Sequence, residues 1–243
     1  MIDDRSGESV TLSTGHTVTL PLELEARIAG VVMSASVSRV RDLLPAGFRP
    51  LRVTPRRGAV TILSVDYRQI GDDAMAPYDE LNIQIPAVRT GARTIPVISG
   101  LYRSVSGFVW RMPVSTRPAM ALGREIWGYP KCVADIAIDH GPSRTQTTVD
   151  IDGERLVTMA VDRPRQWPLR FSGYTLTESE GALVRAETGL RGAVGVRPYT
   201  PVDLDFGDHP DARTLAGIDL GARAVVGLAA DCWFRIGPPV RDW

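Results

Sequence analysis

Pro118-Ala119-Met120-Ala121-Leu122-Gly123-Arg124-Glu125-Ile126-Trp127-Gly128-Tyr129-Pro130-Lys131 is the stretch on which the reading of this chain turns. Pro118 suits the first turn of a helix, where its missing N–H is no loss. The short helix predicted from there through Met120 and Leu122 delivers the chain to the turn Gly128-Tyr129-Pro130-Lys131. Lys131 is the only lysine; the other 27 of the 28 basic residues are arginine. A coding preference for arginine accounts for the 27 and leaves the single lysine to be explained. Arginine can replace lysine wherever a cation serves only solubility or a salt bridge. It cannot replace a lysine that must lose its proton and attack a carbonyl, because the guanidinium stays charged. The count marks Lys131 as a candidate nucleophile, against the competing reading that chance left one lysine.

Outward from this segment, most of the chain reads as strand. The apolar run Ile28, Val31, Val32, Met33 within 26–36 is a strand candidate, and Ser36 or Ser38 is placed to cap a short helix carrying Val40, Leu43 and Leu44. Residues 59–67 are rich in Val, Ile and Thr. Residues 78–86 alternate with period two, so that Leu81, Ile83 and Ile85 point one way and Glu80, Asn82 and Gln84 the other. That polar face meets water or lines a wet cavity. Residues 104–114, with Phe108 and Trp110 on one face, precede the helix, and 132–138 return as a strand. Residues 145–151 pair with 154–161 across an Asp152-Gly153 turn. Strands near 171–177, 183–189 and 196–206 and the apolar segment 222–236 complete the pattern. Gly189, Gly192 and Gly195 read as a flexible connection, since no phosphate-binding glycine pattern surrounds them. Pro and Gly are spread evenly, and one domain over 1–243 is expected.

Composition removes several function classes. Asp and Glu number 28, matching the basic residues, so no net field draws the protein to nucleic acid or an anionic membrane. The N-terminus, Met1-Ile2-Asp3-Asp4-Arg5, is acidic where a signal peptide is basic, and no apolar run approaches the roughly 18 residues needed to span a bilayer. A cytoplasmic protein is expected. Cys132 and Cys232 form no Cys-x-x-Cys pair and read as free thiols or, alternatively, as a disulfide. His16, His140 and His209 lie in unrelated segments without metal-ligand spacing, so no metal site is expected. No G-x-S-x-G elbow exposes a serine.

The elements Gly123-Arg124-Glu125 and Tyr129-Pro130-Lys131 resemble the signature of the acetoacetate decarboxylase family, whose Schiff-base lysine follows an aromatic-Pro turn. Tyr78-x-Glu80 is similar to the segment holding that family's active-site glutamate, Arg27 falls near a pocket arginine on its first core strand, and 213–236 resembles its closing strands. The resemblance implies a strand-rich α+β fold, an antiparallel, barrel-like or cone-like sheet around an apolar cavity, with Lys131 inside. It also implies association into a homo-oligomer, no cofactor, and a small oxo acid as substrate. The nearest activity is decarboxylation of a 3-oxo acid such as acetoacetate. Aldolase, dehydratase or cyclase chemistry at the same lysine is the alternative, and a non-catalytic small-molecule-binding barrel is a third reading.

An amine attacks a ketone only when neutral, and free lysine is almost wholly protonated at neutral pH. Acetoacetate decarboxylase is a standard instance of a lysine activated by an apolar pocket or a cationic neighbour. The family's decarboxylases carry a second lysine directly after the first; here that position is Cys132. Burial is then the lever left for freeing the amine, which a neutral thiol permits and a thiolate opposes. Glu80 is expected to move protons to and from the imine or enamine, against the plainer reading of a solvated strand face. Arg27 is a candidate fork for a substrate carboxylate or one half of a surface ion pair. Trp127, Tyr129 and Cys132 are candidate pocket residues; core packing is the alternative for the aromatics, and a nucleophilic role is a minor alternative for the cysteine.

Overall fold

The period-two alternation of 78–86 recurs around a closed sheet, and its two faces feed two separate cores. The computed structural model describes residues 7–91 and 105–241. The Met1–Arg5 segment and Ser104 lie outside the described residues. A hairpin of β1 (Glu8–Thr11) and β2 (Thr17–Leu20) leads into β3 (Leu22–Ser36), the helix α1 (Val37–Arg41), and the short strands β4 (Phe48–Pro50) and β5 (Arg52–Thr54). The long antiparallel pair β6 (Arg57–Ile70) and β7 (Tyr78–Arg89) follows. β8 (Val105–Val114) then gives way to the helix α2 (Arg117–Trp127) and β9 (Lys131–Val133). Next come β10 (Asp135–His140), β11 (Arg144–Ile151), β12 (Glu154–Asp162), the long hairpin β13 (Trp167–Ser179) and β14 (Ala182–Pro198), and β15 (Asp203–Phe206). The helix α3 (Pro210–Gly217), β16 (Ala224–Ile236) and β17 (Val240–Arg241) complete the chain.

Seven strands run in the order β7-β6-β3-β16-β14-β13-β8, and β8 pairs back onto β7, from Glu80 opposite Val114 to Pro86 opposite Gly107, closing a barrel. Only the β8–β13 contact within the ring is parallel. β9 adds to β8, also in parallel. A second sheet, β10-β11-β12-β15, lies outside. Inward residues Leu22, Leu24, Ala26 and Ile28 of β3 join Tyr67, Tyr78 and the α2 residues Leu122, Ile126 and Trp127 in one buried cluster. The outward set, Val31 and Met33 of β3 with Leu81, Ile83 and Ile85 of β7, packs against Val149, Leu156, Val157 and Met159 of the second sheet. Burying apolar side chains on both faces explains why these strands resist register slips, since a one-residue shift would exchange the two sets. Among the described residues no helix is long and apolar enough to cross a membrane.

The expected elements need four adjustments. Strand 132–138 is broken at Ala134, where the chain leaves the barrel edge for the second sheet. The expected strand 196–206 is two pieces in different sheets, the end of β14 and β15. The helix carries Val40 but ends at Arg41, before Leu43 and Leu44, and the hydroxyl of its N-cap Ser36 contacts Ser38 Oγ at 3.0 Å and caps no backbone N–H. The reading of Gly189, Gly192 and Gly195 as a flexible connection is wrong, because all three lie within β14. At two of them a side chain would strike neighbouring backbone: a methyl on Gly192 would stand 2.6 Å from Cys232 Cα, and one on Gly195 2.6 Å from the carbonyl oxygen of Pro164, whereas Gly189 has open space beside it. Gly192 and Gly195 mark close approach of backbone.

Candidate active site

Helix α2 is built to place Lys131. Thr116 caps it by accepting from the Ala119 N–H at 3.3 Å, and its buried residues Leu122, Ile126 and Trp127 cover one end of the barrel interior. It stops at Gly128, whose left-handed backbone (φ 68°) is readily open only to a residue without Cβ. The Gly128 and Tyr129 N–H groups bond back to the carbonyls of Arg124 and Gly123. Arg124 Nε then donates to the Lys131 carbonyl at 2.6 Å, fixing the backbone on the far side of Pro130. Glu125 anchors the same helix by accepting from the N–H and hydroxyl of Ser13, at 2.9 and 2.5 Å. Arg124 and Glu125 thus hold the turn.

The Lys131 side chain runs inward past Gly123, where a methyl would come within 2.5 Å of Lys131 Cδ and closer still to Cε. Its Nζ donates to Glu80 Oε2 at 2.8 Å. The two residues are 4% and 2% exposed, so the pair is almost wholly withdrawn from water. Nζ also stands 5.3 Å from the centre of the Tyr78 ring, within cation–π range. Glu80 reaches this point because it occupies the inward face of β7 with Tyr78, Asn82 and Gln84. The polar face read from the sequence lines a cavity.

That cavity has a volume of about 50 Å³. Leu22 and Leu24 of β3 and Phe234 and Ile236 of β16 supply an apolar wall; Tyr67, Met112 and Thr175 complete it, beside the polar face of β7. Trp127 and Tyr129 line it too, stacked with centroids 5.8 Å apart and planes 19° off parallel. Trp127 Nε1 donates to the Gly237 carbonyl at 2.9 Å, and the Tyr129 and Thr175 hydroxyls share a hydrogen bond of 2.5 Å. Burial, with the nearby Glu80 carboxylate adding, pushes the phenols of Tyr67 and Tyr78 well up. Burial does the same to Tyr129 against the opposing Thr175 bond. All three phenols remain protonated donors at neutral pH. Asn82 is buried, and among the described residues its Oδ1 has no hydrogen-bond partner.

Lys131, Glu80, Trp127 and Tyr129 are therefore brought together; Arg27 and Cys132 are not. Arg27 sits on the outward face of β3, one residue out of phase with Ala26 and Ile28. It donates through Nε to Asp231 Oδ1 at 2.8 Å, and Arg163 holds the other oxygen of that carboxylate at 3.0 Å. Arg27 is the ion pair of its two readings. Cys132 follows Lys131 on a strand, so it faces the opposite way and packs with the outer core. Burial first, with Asp211 adding, pushes its thiol up against Arg124 and Arg111, which keeps it a neutral thiol. Both cysteines are free. The sequence reading named Asn82 and Gln84 only as one face of a strand and missed Tyr67, Met112, Thr175 and Phe234 as lining. The alternation on β7 carried the signal for the first two. The others come from strands whose closure no local pattern specifies.

Comparison with known proteins agrees with this fold. The family model described as acetoacetate decarboxylase matches residues 13–209. No curated protein sequence matches the chain. Among solved structures, acetoacetate decarboxylase from Legionella pneumophila subsp. pneumophila str. Philadelphia 1 superposes with a TM-score of 0.65 at 13% identity, over 92% of this chain and 87% of that one. The enduracididine biosynthesis enzyme MppR gives 0.65 at 14% identity, over 91% and 87%. An acetoacetate decarboxylase-like enzyme from Sphingomonas wittichii RW1 gives 0.60 at 16% identity, over 91% and 92%. At these identities the structural likeness speaks for the fold, and the family match over most of the sequence supplies the membership: the chain belongs to the acetoacetate decarboxylase family.

Proposed function

We propose that the protein is an imine-forming enzyme in which Lys131 attacks the carbonyl of a small oxo acid, with decarboxylation of a 3-oxo acid as its reaction. The observation that carries this reading is the 2.8 Å contact between Lys131 Nζ and Glu80, both buried in the wall of the barrel cavity. Glu80 takes a proton from the ammonium and leaves a neutral amine. The nitrogen lone pair adds to the carbonyl carbon; the proton held by Glu80 passes to the former carbonyl oxygen, which leaves as water, and a protonated imine results. Loss of CO₂ breaks the bond to the carboxyl carbon, and its electrons move onto the imine nitrogen as an enamine. Glu80 relays a proton taken from solvent water to the enamine carbon, and water hydrolyses the resulting imine to release the ketone. The apolar wall favours the step in which a charged carboxylate becomes neutral CO₂. No cation stands beside Lys131 in sequence, and its amine lies against a carboxylate and a phenol ring. Aldol or dehydration chemistry uses the same proton shuttle and is the second reading, supported by that same direct Glu80 contact.

Borohydride reduction in the presence of acetoacetate or pyruvate is expected to fix the ligand carbon irreversibly to Lys131, read as a mass gain on the peptide that contains it. Absence of an adduct with every oxo acid tried would remove the imine mechanism and leave a binding barrel. CO₂ evolution against a condensed or dehydrated product decides between the two chemistries. Lys131→Arg keeps a cation for Glu80 but cannot supply a neutral amine, and is expected to fold while losing turnover and adduct formation. Turnover retained in that variant would end the mechanism.

A further inference from the structure

The inward face of β7 continues past the reacting pair. Asn82 occupies the next inward position after Glu80, about 7 Å farther along the strand, and both line the cavity that holds Lys131. Asn82 is 8% exposed, and among the described residues its Oδ1 has no hydrogen-bond partner. Lys131 Nζ donates to Glu80, and the Tyr129 and Thr175 hydroxyls bond each other. Buried carbonyl oxygens are ordinarily satisfied, because an unpaired one bears its whole desolvation penalty. The Asn82 carboxamide is thus an incompletely satisfied polar group in the wall of the reaction cavity.

We propose that the Asn82 carboxamide is a specificity subsite for an uncharged hydrogen-bonding group, such as a hydroxyl, on the substrate. The substrate class is then a short carbonyl compound bearing such a group near its reacting carbonyl. Size follows from the cavity: about 50 Å³, at roughly 10–15 Å³ for each water-sized group, holds a short chain and excludes a bulky one. The placement of the reacting carbonyl rests on the imine reading of Lys131; the polar subsite rests on Asn82 alone.

The pair 4-hydroxybutan-2-one and pentan-2-one tests it, since the two match in length and differ by a hydroxyl for a methyl. Calorimetric dissociation constants and borohydride trapping at Lys131 are measured for both, in the unsubstituted protein and in Asn82→Leu, with Asn82→Ala as the second variant should the first not fold. The hydroxy ketone is expected to bind and to be trapped on the order of tenfold better, and the two ketones should become equivalent in the variant. Equal affinities in the unsubstituted protein, or a preference that survives the substitution, overturn the subsite. Adducts without preference overturn it while keeping the imine mechanism. Preferential binding without any adduct keeps the subsite and overturns that mechanism. Neither binding nor adduct overturns both.

Discussion

At the scale of single residues, the site is a question of where one amine is allowed to be. Lys131 was legible in the sequence because it is the only lysine, in a chain where arginine fills every other basic position. Its path was not legible. The side chain threads past Gly123, and nothing local to Gly123 announces that the space beside it is taken. Gly123→Ala therefore separates site from fold. Alanine stabilises a helix interior by roughly 0.5–1 kcal/mol relative to glycine, so the melting temperature should hold or rise slightly. The new methyl must push Lys131 aside by about 1 Å, and a misplacement of that order can cost ~100-fold in rate. Borohydride trapping should slow accordingly while thermal unfolding does not worsen; trapping at the unsubstituted rate would show that Gly123 does not set the position of the amine.

At the scale of elements, two local patterns gave correct information and one misled. The alternation on β7 sorted its residues onto the right faces, because a strand buried on both sides cannot tolerate a shift of one position. The Asp152-Gly153 turn joins β11 and β12 as its sequence predicts, with both residues at positive φ, 53° and 81°. Gly192 and Gly195 of β14 misled because a glycine that admits a neighbouring backbone looks, in sequence, like one that loosens the chain. Gly128 at the end of α2 has both uses at once. Its φ of 68° is strained for any L side chain, and a methyl there would stand 2.5 Å from Ser179 Oγ and closer to its Cβ. Gly128→Ala should thus destabilise the protein by about 2 kcal/mol or more, lowering the melting temperature by several degrees. Imine formation should fall together with stability, whereas in Gly123→Ala it falls alone, because here the turn carrying Lys131 is displaced as a whole. A melting temperature unchanged in Gly128→Ala would contradict this account of the turn.

At the scale of the whole molecule, the barrel closes through strands far apart in sequence, and it is this closure that sets Glu80 of β7 against a lysine 51 positions away. No local pattern could specify that pairing, which explains why Thr175 and Phe234 went unread while Glu80 did not. Closure also builds a charged row on the outer face, where Asp231 of β16, Arg27 of β3, Asp66 of β6 and Asp79 of β7 stand directly opposite one another. Arg27 is shared well at one end: burial would push the Asp231 carboxyl up, but the hydrogen bond from Arg27, with the Arg163 charge adding, prevails and holds it below its ordinary value. The other end places two carboxylates side by side, a destabilising cross-strand pair. Burial, with Asp66 adding, pushes the Asp79 carboxyl up from 3.8 to about 6. Between about pH 4 and 6 the folded protein holds a proton that the unfolded chain has already released, so this group's contribution to stability declines as pH rises through that window. Above pH 6 the cost is constant. Asp79→Asn removes it, and the gain should be on the order of 1 kcal/mol at pH 8 once solvent screening of a half-buried group is allowed for. Thermal melts at pH 8 and pH 4 check the sign: the variant should melt a few degrees higher than the unsubstituted protein at pH 8 and level with it at pH 4, whereas an equal difference at both would mean that the effect is one of packing and that the charged row carries no such penalty.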